Sequence, residues 1–121
     1  MGKFVIKESS AGFTFRLKAQ NGEVIAVSEV YKSLDGCENG IESVKQNAVA
    51  AGVEDLTGDG GKVSNPKFEI YKDNGGDFRF RLKARNGEII ATSEGYNSKS
   101  GCKNGIESVR ENAPSAQTVK E

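Results

Sequence analysis

Hydrophobic and polar positions alternate strictly over 13–19. Phe13, Phe15, Leu17 and Ala19 fall on one side of an extended chain, and Thr14, Arg16 and Lys18 on the other. A period of two marks a half-buried strand. Asn21-Gly22 follows and predicts a tight hairpin, with both residues at positive φ. If Gln20 pairs with Glu23, then Ala19 faces Val24, Leu17 faces Ala26 and Phe15 faces Ser28. The other face then sets Lys18 against Ile25 and Arg16 against Val27. Large residues opposite small ones leave room above the sheet for a helix. The period then changes. Cys37, Ile41, Val44 and Ala48 recur at four, three and four residues, one apolar stripe at helical spacing. The helix has two candidate starts. Ser33 or Asp35 would cap an early one; Asn39-Gly40-Ile41-Glu42 has capping-box spacing for a late one. An early start makes Gly40 internal, at a cost of about 1 kcal/mol relative to alanine. Such a glycine suits a place where other groups approach the backbone closely.

The whole pattern then repeats. Phe78, Phe80, Leu82 and Ala84 restate the strand, Asn86-Gly87 the turn, and Cys102, Ile106, Val109 and Ala113 the helix. Between 13–49 and 78–114, 25 of 37 positions are identical. Phe4 and Ile6 mark a short strand before the first copy, matched by Phe68 and Ile70 before the second. Weaker strand patterns follow the helices at 52–56 and 117–120, and Pro114 stops the second helix. Thr57 to Pro66 is rich in turn formers and reads as a linker able to span about 30 Å. The organisation predicted is one pseudo-twofold domain over 1–121: repeat one 1–57, linker 58–66, repeat two 67–121. Half a sheet with one helix leaves an apolar face wet, so the two halves should share one core. The tandem chain is then an intramolecular pseudo-dimer, expected to be monomeric.

Composition narrows the chemistry. The chain has 17 basic and 17 acidic residues and no histidine. Zero net charge weakens a nucleic-acid reading without removing a local basic patch. The missing histidine takes away the commonest metal ligand and the commonest acid–base group near neutrality. Two cysteines at matching repeat positions read as thiols of each unit, not as a disulfide framework. No apolar run reaches membrane-spanning length, and the first residues lead straight into a strand pattern. Lys3 and Phe4 make lipidation after Met1-Gly2 a poor fit. A cytoplasmic protein without membrane partner or cofactor is expected. Asp55, Thr57, Asp59 and Gly60 lack the twelve-residue ligand series of a calcium loop.

Phe-x-Phe-x-Leu-Lys-Ala-x-Asn-Gly-Glu, Ser28-Glu29-Val30-Tyr31 and Cys-x-Asn-Gly-Ile-Glu-Ser-Val together resemble the YegP-like family of small bacterial proteins (UPF0339, DUF1508), in its tandem-repeat form. The resemblance implies an α+β fold of two β-β-β-α-β units. The units would form a single antiparallel sheet with exchanged C-terminal strands and helices packed on one face. The family supplies no catalytic residues to transfer.

Candidate sites follow from residue type. Arg16, Lys18, Arg79, Arg81 and Lys83 point away from the core and would form a basic stripe, which Arg85 extends. Such a stripe can hold a polyanion, although Glu23, Glu29, Glu88 and Glu94 stand near enough to neutralise it. Aromatic residues for base stacking are missing from that face. Cys37 and Cys102 are reactive by type, but on apolar stripes they read first as small hydrophobes. Tyr31 and Tyr96 sit at strand-to-helix junctions as rim plugs or ligand contacts. Asn39 and Asn104 read as caps or polar contacts. The leading functional expectation is a non-enzymatic binding or accessory module of unknown partner. The alternatives are weak nucleic-acid or polyanion binding, and a cysteine-dependent redox or enzymatic role.

Overall fold

A computed structural model describes residues 2–58 and 60–121. Met1 and Asp59, and with them part of the lipidation and calcium-loop readings, lie outside the described residues. In repeat one the strands are β1 (Lys3–Ser9), β2 (Gly12–Lys18) and β3 (Val24–Val27), followed by helix α1 (Leu34–Ala50) and strand β4 (Gly52–Asp55). Repeat two gives β5 (Lys67–Lys72), β6 (Phe78–Lys83), β7 (Ile89–Thr92), α2 (Lys99–Asn112) and β8 (Gln117–Lys120). The eight strands make one sheet in the order β4-β5-β6-β7-β3-β2-β1-β8.

That order is the predicted exchange. β4 of repeat one pairs with β5 of repeat two, and β8 of repeat two pairs with β1 of repeat one. Both exchanged strands run parallel to their neighbours, so the sheet is antiparallel only across its six central strands. The cause is the connection. β4 runs opposite to β3, the strand before its helix, and β8 opposite to β7, which sets each along its new neighbour. At the centre, β3 and β7 meet through the single pair Val27–Thr92.

Both helices cover the same face. Phe4, Phe15, Leu17, Ile41, Val44, Phe68, Phe80, Leu82, Ile106 and Val109 are almost fully buried in one cluster that includes both halves. α1 packs on β2 of its own unit and on β5, β6 and β7 of the other. Neither unit therefore has a separate interior. The Asn47 side-chain carbonyl accepts from the Arg85 N–H (3.2 Å), tying α1 to the hairpin of repeat two.

The helix starts are the early ones. Ser33 Oγ accepts from the Gly36 N–H and Ser98 Oγ from the Gly101 N–H, each at 3.0 Å. The caps are thus serines, and Asn39 and Asn104 are exposed helical residues. Gly40 and Gly105 are internal for a steric reason. A Cβ on Gly40 would lie 2.7 Å from Tyr31 Cζ and 3.1 Å from Phe15 Cε2; Gly105 meets Tyr96 and Phe80 alike. Tyr31 stacks on Phe15 at 6.2 Å between ring centroids, and its ring fills the groove that the glycine leaves. α2 ends before Pro114, whereas α1, with Val49 at the matching position, runs to Ala50.

The hairpin differs from expectation by one residue. The Ala19 N–H donates to the Glu23 carbonyl (2.8 Å) and the Gly22 N–H to the Ala19 carbonyl (2.9 Å). The loop is therefore Gln20-Asn21-Gly22, and only Gly22 takes positive φ, +88°. A three-residue loop of this kind places its glycine at the left-handed position and adds a bulge. Lys18 consequently faces Val24 while Leu17 still faces Ala26. Ile25 is the extra residue, and it joins the core rather than lying under Lys18.

Deleting 117–121 should damage the first repeat. β8 is an edge strand laddered to β1, and the Glu121 N–H donates to the Ile6 carbonyl. Several net hydrogen-bond contributions of about 1 kcal/mol each would go. Hydrogen exchange is expected to show lost protection in β1 at residues 3–6, with β5 unchanged. Loss confined to repeat two would refute the exchange.

Candidate functional site

The sheet face without helices is the candidate site. One row of residues crosses all eight strands there. Following the pairing register it reads Glu54, Glu69, Arg81, Thr92, Val27, Arg16, Val5 and Val119. The pseudo-twofold axis passes between Thr92 and Val27. Glu69 is thus the counterpart of Val5, and Glu54 the counterpart of Val119.

The second half of this face is a charge network. Glu69, its side chain only 5% exposed, accepts from Arg81 Nε (2.7 Å) and lies 3.3 Å from Lys67 Nζ and 3.4 Å from Lys83 Nζ. Burial pushes its carboxyl up, but the bonds from Arg81 and Lys67 outweigh that and hold it below the usual range. Lys67 also donates to Glu54 (2.7 Å), whose other contact is the Val63 N–H of the linker. Those two bonds hold the Glu54 carboxyl down as well. Arg79 donates to Asp73 (2.6 Å) and to the Ser93 carbonyl, and the Arg81 guanidinium lies 4.7 Å from the Tyr71 ring centroid. In the first half, Arg16 pairs with Glu121 at 3.1 Å, while its Nε is buried without an acceptor. Among the described residues no ion pair holds Lys18.

The five bases expected to form one stripe do share this face, but they are not equivalent. Arg79, Arg81 and Lys83 are engaged by carboxylates of their own half. The neutralising acids are Glu69, Asp73 and Glu121, not Glu23, Glu29, Glu88 and Glu94. Glu23 and Glu88 instead accept from the side chains of Asn21 and Asn86 in their turns. Arg85 lies beyond the strand with an exposed side chain, its N–H on α1. Alternation alone does not single out Glu69. The signal is the one glutamate that interrupts the matched sequences Phe4-Val5-Ile6 and Phe68-Glu69-Ile70.

The remaining candidates stand on the opposite side. Cys37 and Cys102 are free and fully buried beneath their helices. Burial raises both thiols, aided by Glu38 at Cys37 and by Asp55 at Cys102, which is pushed up to about 11. Tyr31 and Tyr96 are part-buried plugs whose phenols burial also raises. Asn104 borders a groove of about 320 Å³ between α2 and β4, with Val53, Asp55 and Ile106. Asn39 borders the matching groove of about 200 Å³ between α1 and β8. Among the described residues no three His, Cys, Asp or Glu side chains gather to hold a metal. None of the described helices is long and apolar enough to cross a membrane.

Residues 8–55 and 73–119 both match the family described as a domain of unknown function, DUF1508. The chain belongs to the YegP-like, DUF1508 family. It is 40% identical over 120 residues to the "UPF0339 protein in ptx operon 5'region" of Stutzerimonas stutzeri, covering 98% of this chain and 96% of that one. A UPF0339 protein of Treponema denticola is 67% identical over 54 residues, which are 45% of this chain but 93% of the relative. That relative is about one repeat long. The solution structure of the E. coli protein of unknown function yegP superposes with a TM-score of 0.81 at 34% identity, covering 99% of this chain and 92% of that one. The tandem architecture of this chain is thus similar to that of the E. coli protein.

Strong acid should loosen one contact between the halves. Asp55 of β4 accepts from Lys99, the first residue of α2 (2.7 Å), and from Thr57 Oγ1 (2.6 Å). The Lys99 bond, then the Thr57 hydroxyl, hold its carboxyl at about 2 against an ordinary 3.8. A depressed carboxylate stabilises the fold above its unfolded value and stops doing so as pH falls through the folded one. Denaturation followed from pH 4 to pH 2 should be flatter for Asp55→Asn than for wild type. Identical slopes would mean that this pair contributes nothing.

Proposed function

We propose that this YegP-like protein is a monomeric, cytoplasmic, non-catalytic binding module whose contact surface is the open sheet face. One observation carries the reading: both helices lie on one side, so eight strands present a continuous row of charged and apolar side chains with no helix over it. A shared core behind an uncovered sheet face suits recognition. The polyanion alternative draws on the same face, through Arg16 and Lys18, because Arg79, Arg81 and Lys83 already have carboxylate partners. A thiol-based role draws less support. A nucleophile must be ionised and reachable, and both thiols are buried and raised.

The paired substitution Val27→Arg, Thr92→Arg changes the centre of the face and leaves the helix-side core intact. Capture from native lysate should yield a partner retained by wild type and lost from this variant. Capture of nothing, or of the same molecules by both, would overturn the proposal. Single- and double-stranded oligonucleotides at low salt should not bind. Salt-sensitive binding removed by Arg16→Gln with Lys18→Gln would favour the polyanion alternative.

Native thiol titration should leave Cys37 and Cys102 unmodified until denaturant is added. A rapid stoichiometric reaction in native buffer would restore the redox reading.

A further inference from the structure

The two halves of the open face carry the same cations around different centres. In repeat two, Lys67 and Lys83 are paired across β5 and β6, and Glu69 is paired with Arg81. In repeat one, Lys3 and Lys18 are paired across β1 and β2, and Val5 is paired with Arg16. Three cations surround a carboxylate in one half and a valine in the other. The bonds show the consequence. Arg81 Nε donates to Glu69, whereas Arg16 Nε, at the equivalent position, is buried with no acceptor. Glu54, which shares Lys67 with Glu69, has Val119 as its counterpart, and that valine is 38% exposed. Among the described residues, the one carboxylate on these cations of the first half is Glu121, which reaches Arg16 Nη2 (3.1 and 3.2 Å) and is itself half-exposed.

We infer that the first half of the open face binds an acidic segment of another protein, whose carboxylate takes the place over Val5 that Glu69 fills in the second half. The inference rests on the binding reading above and names the partner's chemistry. Glu69 acts as an internal template: it shows that this strand geometry can gather one lysine, one arginine and a second lysine onto a single carboxyl group. Hydrogen bonds between ionised partners are the stronger kind, and an arginine adds direction to them. Val119, 38% exposed, supplies apolar surface for the aliphatic part of the incoming segment. Glu121 occupies part of the same arginine, so the incoming carboxylate competes with it. A nucleic acid fits less well, because a phosphate backbone needs a long run of unspent bases and Arg79, Arg81 and Lys83 of the second half are held by Asp73 and Glu69.

The test uses the full chain, ¹⁵N-labelled, titrated with a blocked peptide of four Glu-Val repeats. Saturable shifts are expected at the Arg16 Nε–H and at the amides of Lys3, Val5, Lys18 and Val119, and the matching Gln-Val peptide should cause none. Val5→Glu supplies the missing carboxylate from within and should weaken binding at least about tenfold, as should Lys3→Gln with Lys18→Gln, which leaves the core untouched. Glu121→Gln removes the competitor and should tighten binding severalfold. Absence of saturable shifts overturns the inference, as does equal binding by the Lys3→Gln, Lys18→Gln variant. Shifts elsewhere on the open face overturn it while sparing the broader binding reading. Stronger, saturable shifts of the same residues by a single-stranded oligonucleotide also overturn it, in favour of the polyanion alternative.

Discussion

Each repeat hands its last strand to the other, and the remainder of the structure depends on that crossing. β4 completes the edge beside β5 and β8 completes the edge beside β1. To reach those positions the helices must lie across the centre, and α1 does so over β5, β6 and β7. The central ladder between β3 and β7 is a single pair. Backbone bonding there is far too slight to hold two halves together. Apolar burial beneath the helices and the two crossing strands provide the cohesion. The same geometry leaves the opposite face bare, because both connections pass over one side.

Fusion of the repeats frees that bare face from symmetry. A one-repeat chain that completed such a sheet with a second copy would carry the same residue at both related positions. Here the two positions differ: Val5 in one half, Glu69 in the other. Other departures reinforce the division. Glu54 answers Val119, and an Asp73–Arg79 pair holds the second half alone. The duplicated core is therefore nearly invariant between repeats, while the uncovered surface has become two distinct surfaces.

What the sequence showed and what it hid have separate physical causes. Period-two strands, the apolar helical stripe and the weak terminal strands were legible because burial on one face imposes a regular pattern. The turn was half legible. Asn21-Gly22 announced a hairpin, but two-residue and three-residue loops use the same pair, and only hydrogen bonding at Ala19 separates them. The helix start was ambiguous because two serviceable caps compete, and the packing of Tyr31 into the space beside Gly40 decides between them. That contact joins a strand end to a helix interior and leaves no mark on periodicity. The basic residues were placed on the correct face, yet their partners were missed. Glu69 and Glu121 reach them across strands that become neighbours only after the exchange or through a pairing that alternation does not specify.

Stability does not dictate the character of the open face. A buried ion cluster and an apolar side chain of similar size often serve a fold about equally well. This sheet makes the comparison within one molecule, since Glu69 and Val5 occupy related backbone positions and are 4% and 5% exposed. The cluster remains satisfied because every oxygen of Glu69 has a cation beside it. On the valine side Arg16 has Glu121, and among the described residues Lys3 and Lys18 have no carboxylate partner. If cohesion alone had shaped this surface, either solution used twice would have sufficed. Two different solutions, one centred on the buried Glu69 and one with the half-exposed Glu121 on Arg16, show that cohesion did not shape both halves alike.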